Sequence, residues 1–289
     1  MVIDAGRRAA VCLAATAVAT GLCALLSPAG PAIADQSWPT RVSAHYKVVV
    51  AGFELGKFQF TSSLNGSEYA LSGQAHLTWG FGMFHWTSTT RSSGSVAGDH
   101  VVPAGYTLDY KINSQSGSVN LAFQNDAVTR IDIQPGDPPA AGTVPLKDHH
   151  MKAVFDPMSA LMALSRGSAA NPCGRRIALF EGRQRFELAL SFRRQEKVVE
   201  AKPSGQPAIA YVCRVQYIPV AGHKLNKATQ DMASNAGIEV ALRPVPSANL
   251  LVPTRITIPT ALGNAEIVLS RVDIVAPGNR QIALNGSGQ

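Results

Sequence analysis

The feature of this chain that most restricts its fold is the alternation of apolar and polar residues in one short segment after another. In residues 42–48, valine, alanine, tyrosine and valine occupy every second position, with serine, histidine and lysine between them. Because successive side chains of a strand point to opposite faces, this period of two predicts a half-buried β-strand. Comparable alternation recurs at residues 69–77, 106–112, 119–123, 186–192 and 209–217. Turn dipeptides such as Asn65-Gly66 separate neighbouring segments and predict hairpins.

Short strands joined by hairpin turns predict an antiparallel meander, and a meander of this length has to curl. One segment departs from the pattern. Asp156 suits a helix N-cap, Pro157 the first helical position and Gly167 the C-terminal cap, and the residues between them have apolar positions at helical spacing. The sequence therefore predicts a mainly β protein, in which an antiparallel meander curls into an open or partial β-barrel around one short α-helix.

The N-terminus predicts export. Arg7 and Arg8 precede an apolar run over residues 9–26, and Ala-Ile-Ala at 32–34 supplies small residues for cleavage. This arrangement is typical of a secretory signal peptide, and a retained membrane anchor is the alternative reading. We expect residues 1–34 to be the signal peptide and residues 35–289 to form a single β-rich periplasmic domain, with no transmembrane segment in the mature chain.

The cysteines fit the same compartment. Cys12 and Cys23 lie in the expected signal peptide, so Cys173 and Cys213 remain. Two cysteines in an oxidising compartment are expected to form a disulfide, worth about 4 kcal/mol by loop closure. Their wide separation argues against a C-x-x-C redox pair, and no histidine lies at metal-ligand spacing from either one.

The formal charge is +7 for the whole chain and +6 without the expected signal peptide, because Arg7, Arg8 and Asp4 together contribute +1. In an envelope compartment this balance favours lipid headgroups, an anionic envelope polymer or an envelope protein as partners, and not nucleic acid. Ordinary solubility explains it equally well. Arg183 and Arg185 are the candidates for a basic face.

The segment from Trp79 to Trp86 contains five large apolar residues and two glycines. Trp79, Phe81, Phe84 and Trp86 are the candidate ligand-binding residues, since mobile aromatic side chains can cover an apolar ligand or contact lipid. The alternative is a hairpin turn whose aromatic side chains pack inward.

The densest polar cluster is Asp148-His149-His150, which suggests an acid/base site of a cell-wall or lipid hydrolase. Ser159 follows nearby, but no G-x-S-x-G motif occurs. An exposed loop end explains the cluster as well. We therefore assign no catalytic residue, and we expect no metal and no cofactor.

Several motifs resemble those of the exported Gram-negative proteins grouped as domain of unknown function 3108. They are Ala-Gly-Phe-Glu-Leu-Gly at 51–56, Phe-Asp-Pro-Met-Ser-Ala-Leu at 155–161, Phe-Glu-Gly-Arg-Gln-Arg-Phe-Glu-Leu at 180–188 and Cys-Arg-Val-Gln-Tyr-Ile-Pro-Val-Ala-Gly at 213–222. Together they extend over most of the chain after the expected signal peptide. The resemblance implies a secreted, β-dominated single domain and supplies no activity.

These observations favour a non-catalytic periplasmic envelope protein that binds an apolar or amphipathic ligand, or an envelope partner, and supports envelope integrity. A hydrolase using Asp148 with His149 or His150, and an interaction scaffold using the basic face, are the alternatives. The shape of the concave side discriminates, because a deep apolar cavity favours ligand binding and a filled core favours scaffolding.

Overall fold

The protein is built almost entirely from one antiparallel sheet. The computed structural model describes residues 38–80, 82–166, 170–200 and 203–286, and 63% of the structure is strand. The strands are β1 (Arg41–Val50), β2 (Phe53–Asn65), β3 (Glu68–Trp79), β4 (Phe84–Ala97), β5 (His100–Ile112), β6 (Gln115–Gln124), β7 (Ala127–Gln134), β8 (Arg176–Phe180), β9 (Arg185–Lys197), β10 (Ile209–Ala221), β11 (Glu239–Val245), β12 (Leu250–Thr260), β13 (Gly263–Ala276) and β14 (Arg280–Asn285). The helices are α1 (Pro157–Ser165) and α2 (Lys227–Ser234).

The sheet consists of two meanders joined through its middle. Strands β1 to β7 form one meander and β8 to β13 the other, and they meet where β1 pairs with β13. Strand pairing does not close the sheet, so β7 and β8 are its edges. The chain between the edges contacts both of them, with Lys152 bridged to Ala127 at the start of β7 and Phe155 bridged to Leu179 of β8. The predicted open β-barrel is confirmed.

Helix α1 begins where the sequence predicts. Asp156 accepts hydrogen bonds from the Met158 and Ser159 backbone nitrogens, both at 3.0 Å, and Pro157 opens the helix. The helix packs on the concave side of the sheet, against β3, β4, β5, β8 and β12. Gly167, the predicted C-terminal cap, lies outside the described residues.

A buried polar network anchors the first turn of α1 to the sheet. Asp156 is fully buried and accepts from the Ser92 hydroxyl at 3.1 Å. The Ser159 hydroxyl lies 2.9 Å from that of Ser92 and 2.7 Å from that of Tyr69. Burial raises the pKa of Asp156 and raises that of Tyr69 to about 12. A buried helix start needs a cap whose side-chain oxygens all accept hydrogen bonds. This requirement explains the recognisable sequence motif at residues 155–161.

Helix α2 was not predicted. Asn226 caps it by accepting from the Thr229 backbone nitrogen at 3.0 Å. No side chain of α2 is buried, and its sequence, Lys-Ala-Thr-Gln-Asp-Met-Ala-Ser, has too few apolar residues for a visible stripe.

The predicted disulfide between Cys173 and Cys213 is confirmed. Both residues are buried, their Cα atoms are 5.4 Å apart, and 40 positions separate them in sequence. A buried disulfide is typical of proteins in an oxidising compartment. Among the described residues, no helix has the length and apolar character needed to cross a membrane. The signal peptide lies outside the described residues, so it and the domain boundary at residue 35 stay predictions.

Candidate functional site

The two ends of the sheet differ in how their interior is filled. At one end, Trp38 donates to the Gly98 carbonyl at 2.8 Å, and the guanidinium of Arg166, just after α1, lies 4.6 Å from its ring centroid. Arg166 also pairs with Asp99 at 2.6 Å. A cavity of ≈ 40 Å³ lies between Trp38, α1 and the sheet. It is large enough for only a few waters at roughly 10–15 Å³ each. This is the closed end, and its core is filled.

The other end, where the β1–β2, β3–β4, β5–β6 and β12–β13 hairpins turn, is called the open end here. Strand register shows which side chains face inward there. A Cβ added to Gly73 would lie 3.1 Å from Met158 Cε of α1, so Gly73 faces the helix. Further along β3 towards the open end, Leu77 lies opposite Trp86 of β4 and Trp79 lies opposite Phe84, with no register shift between. Since side chains alternate between the two faces of a strand, all of these side chains lie on the face that α1 covers nearer the closed end.

The same face continues onto β5 on one side and onto β2 and β1 on the other. Trp86 lies opposite Ile112 of β5, and Phe53 of β2 lies opposite Val50 of β1. We call Phe53, Leu77, Trp79, Phe84, Trp86 and Ile112 the concave apolar face.

The described part of the chain leaves several of these inward side chains exposed. Phe53 is 73% exposed and Trp79 38%, whereas Tyr69, on the same face of β3 nearer the closed end, is 2% exposed. Trp79 and Phe84 stack on each other, with ring centroids 5.4 Å apart. The segment is thus a hairpin whose Trp79 and Phe84 side chains face inward, and within the described residues no core closes over these two rings. Phe81 lies outside the described residues.

The outward face of the same hairpin is polar. Thr78 Oγ1 lies 3.2 Å from His85 Nδ1 and 3.4 Å from His76 Nε2, which places these side chains opposite to Trp79. The outward positions of β3 and β4 near the open end are Gln74, His76, Thr78, His85, Thr87 and Thr89. The open end therefore has an apolar inside and a polar outside, the reverse of what a solvent-filled bowl requires.

A cleft of ≈ 1250 Å³ lies beside the concave apolar face, at the seam between the edges of the sheet. We call it the seam cleft. Its walls are β7, the irregular segment 137–146, the turn at residues 182–184 and α2. Ile131 and Ile133 of β7 line it, and Ile133 lies opposite Val119 of β6, which lies opposite Leu108 of β5. The concave face of β5 to β7 thus forms one continuous wall from Ile112 to the cleft. The volume exceeds that of common ligand pockets, roughly 300–1000 Å³.

Polar groups connect two walls of the seam cleft. Arg183 donates to the backbone carbonyls of Pro135 at 3.0 Å and Asp137 at 3.3 Å, which ties the irregular segment to the turn after β8. Arg185 is only 11% exposed and pairs with Glu187 at 3.0 Å. Of the two residues predicted to form a basic face, Arg183 therefore lines the cleft and Arg185 is mostly engaged within the sheet. The basic face itself stays a prediction.

The Asp148-His149-His150 cluster lies in a short 3-10 helix and not on a strand. The two imidazole rings are in contact, with centroids 4.0 Å apart, and His150 Nδ1 accepts from the Lys147 backbone nitrogen at 3.1 Å. Partial desolvation, together with the charges of His149, Lys147 and Arg185, lowers the pKa of His150.

Ser159, the nucleophile considered for a hydrolase, is fully buried, and its hydroxyl bonds to Ser92 and Tyr69. Within the described ranges, no group of three or more His, Cys, Asp or Glu side chains is arranged to hold a metal ion.

The sequence allowed the aromatic residues of this region to be predicted, but it did not predict the seam cleft. The irregular segment after β7 is visible as a run of proline, glycine and alanine, and nothing in it indicates the carbonyls that Arg183 binds. Helix α2 forms another wall, and its apolar side chains there are Ala228 and Met232, the latter 38% exposed.

The fold and this region define a class: an open antiparallel β-barrel, plugged by a capped helix at one end and lined by uncovered apolar side chains at the other. The chain belongs to the family described as protein of unknown function (DUF3108), whose sequence model matches residues 42–270. The resemblance in the sequence is thereby confirmed. No curated protein and no solved structure matches the chain.

Proposed function

We propose that this chain is an exported, periplasmic envelope protein that binds an apolar or amphipathic molecule at the concave apolar face and supports envelope integrity without catalysis. The observation that carries the proposal is the inverted polarity of the open end. Aromatic side chains that face the interior of a barrel are normally covered by a core, and burying one is worth about 1.5–3 kcal/mol. Here, Trp79 and Phe84 face inward and remain about two-fifths exposed, so a bound apolar molecule would gain the burial that the protein lacks.

The seam cleft adds to the case. It continues the apolar wall and presents polar groups at its far side, so an elongated molecule would find apolar surface along β3 to β7 and polar partners beyond. The filled core at the closed end restricts binding to the open end.

Export is supported by the N-terminal signal sequence and by the buried disulfide. Together with the family motifs, these features favour the periplasm as the compartment in which the ligand is met.

Binding can be tested with dansylundecanoic acid, a fluorescent amphiphile, added to protein produced from the full-length chain and recovered from the periplasmic fraction. We expect saturable binding that Trp86→Ala weakens about tenfold or more, because a lost aromatic contact of about 1.5–3 kcal/mol changes the Kd by that factor. Phe84→Ala provides a second variant. Thr87→Ala is the matched control, since Thr87 is the outward neighbour of Trp86, and should bind as the wild type does.

The far-ultraviolet circular dichroism of each variant must match that of the wild type. Equal affinity in wild type, Trp86→Ala and Phe84→Ala, or absence of saturable binding, would refute the proposed site. Mass spectrometry of organic extracts from the purified protein should detect a co-purified lipid-like molecule that is depleted in Trp86→Ala.

A further inference from the structure

We propose that the open end docks on the surface of a lipid bilayer through its turns. The inference goes beyond the proposed ligand binding and stands on side chains of the turns, of which only Phe53 also belongs to the concave apolar face. Among the described residues, the three most exposed large apolar side chains are Leu262 at 81%, Leu225 at 74% and Phe53 at 73%, and Met83 follows at 68%. All four lie at the open end.

Their location follows from the strand register. Leu262 is in the turn between β12 and β13, Phe53 directly follows the β1–β2 turn, and Met83 lies in the β3–β4 turn. Because β1 pairs with both β2 and β13, these turns project from the same end of neighbouring hairpins. Leu225 follows β10, whose final residues extend beyond its pairing with the start of β11, on the same side as the β12–β13 turn.

The arrangement suits a bilayer better than a protein partner. The four side chains come from four separate connections, whereas protein interfaces need contiguous packed surface. Single apolar side chains at turns can enter the headgroup boundary independently.

Charge supports the same occupant. Exposed lysines lie close in sequence to two of the four apolar side chains, with Lys224 directly before Leu225 and Lys57 in the same strand as Phe53, and exposed Lys111 lies at the β5–β6 turn of the same end. The nearby acids Glu54 and Asp231 are paired with other lysines, Lys47 and Lys227. The formal charge, +6 without the expected signal peptide because Arg7, Arg8 and Asp4 together remove +1 from +7, favours a surface that contains anionic lipid.

Docking in this orientation would turn the concave apolar face towards the membrane. A ligand could then pass between bilayer and barrel without crossing water. The turns make the contact with lipid, and Phe53 is the one side chain of the concave apolar face that takes part in it.

The test is flotation of the protein with vesicles of phosphatidylcholine alone and of phosphatidylcholine with phosphatidylglycerol. We expect the wild type to float with both, and more with the anionic mixture. The double variant Leu225→Ser with Leu262→Ser should reduce the vesicle-bound fraction about tenfold. The matched control is Val199→Ser. Val199 is as exposed as Met83, at 68%, but follows β9 at the end away from these turns, so its replacement should change nothing.

Both altered leucines lie outside the concave apolar face, so the double variant should bind dansylundecanoic acid as the wild type does. That result separates failure of docking from failure of ligand binding. The proposal is overturned if the wild type floats with neither vesicle composition, or if the double variant floats as well as the wild type. It is also overturned if the leucine replacements abolish self-association in the absence of vesicles while flotation is absent, because a second copy of the chain would then be the partner.

Discussion

Replacing Asp156 should show how strongly the buried start of α1 holds the barrel together. In Asp156→Ala, the Met158 and Ser159 backbone nitrogens lose their acceptor, and the Ser92 hydroxyl loses the partner at 3.1 Å. Loss of an N-cap costs about 1 kcal/mol, and each buried polar group left unsatisfied costs about 1–3 kcal/mol. Removing a desolvated carboxyl group offsets part of this loss. We expect a decrease of about 2–4 kcal/mol in the free energy of unfolding.

Asp156→Asn is the matched control. Its side-chain oxygen can still accept from the two backbone nitrogens, and its amide can donate to Ser92. The hydroxyls of Ser92, Ser159 and Tyr69 can then reverse the direction of their hydrogen bonds, because each one both donates and accepts. We expect this variant to lose about 1 kcal/mol or less near neutral pH.

The two proteins should also differ in pH dependence. Burial raises the pKa of Asp156 in the folded state, so its contribution to stability is fully present below the unfolded pKa of about 4 and is lost as the pH rises through the folded value. The advantage of wild type over Asp156→Asn should therefore shrink as the pH rises above about 4. Urea denaturation followed by tryptophan fluorescence measures both effects. An advantage that grows with pH, or an alanine variant as stable as the asparagine variant, would refute this account of the anchor.

Two further predictions concern the second meander. Reduction of the disulfide, or the variant Cys173→Ala with Cys213→Ala, should lower the free energy of unfolding by about 4 kcal/mol, as expected for closure of a loop of this length; a wild-type denaturation midpoint that does not respond to reductant would contradict this. Gly222→Ala should cost about 2–4 kcal/mol, because the backbone there has a φ of +79° and a Cβ would overlap the Arg183 carbonyl oxygen. Gly52→Ala, at φ +87° with no atom within 4 Å, should cost only about 1 kcal/mol, and equal losses in the two would show that the overlap is unimportant.

Local patterns in the sequence were sufficient for much of the fold. Alternation identifies strands because the period of two is a property of the extended backbone. The Asp-Pro start of α1 can be recognised because a helix cap depends only on neighbouring residues. The disulfide followed from having two cysteines left in an oxidising compartment. In contrast, the pairing of β1 with β13 has no local signature, since it joins segments at opposite ends of the sequence.

The candidate site was predictable only in part. Trp79, Phe84 and Trp86 stand out by residue type, but whether inward aromatic side chains meet a core or open space depends on where α1 ends within the barrel. The seam cleft depends on Arg183 reaching carbonyls of a distant loop, which sequence patterns do not encode.

The central position of β1 has a consequence for how the molecule is made. A hydrogen bond from Thr40 to Val275 spans 235 residues, so β1 gains β13 as its second neighbour only after the long segment between them has been synthesised. Until then β1 is an unpaired edge strand next to apolar surface. This combination promotes aggregation with other incompletely synthesised chains. Slow, late joining of the two halves is therefore inherent in this topology. A cell that produces the protein therefore has to prevent the first meander of one chain from associating with that of another before β13 is synthesised.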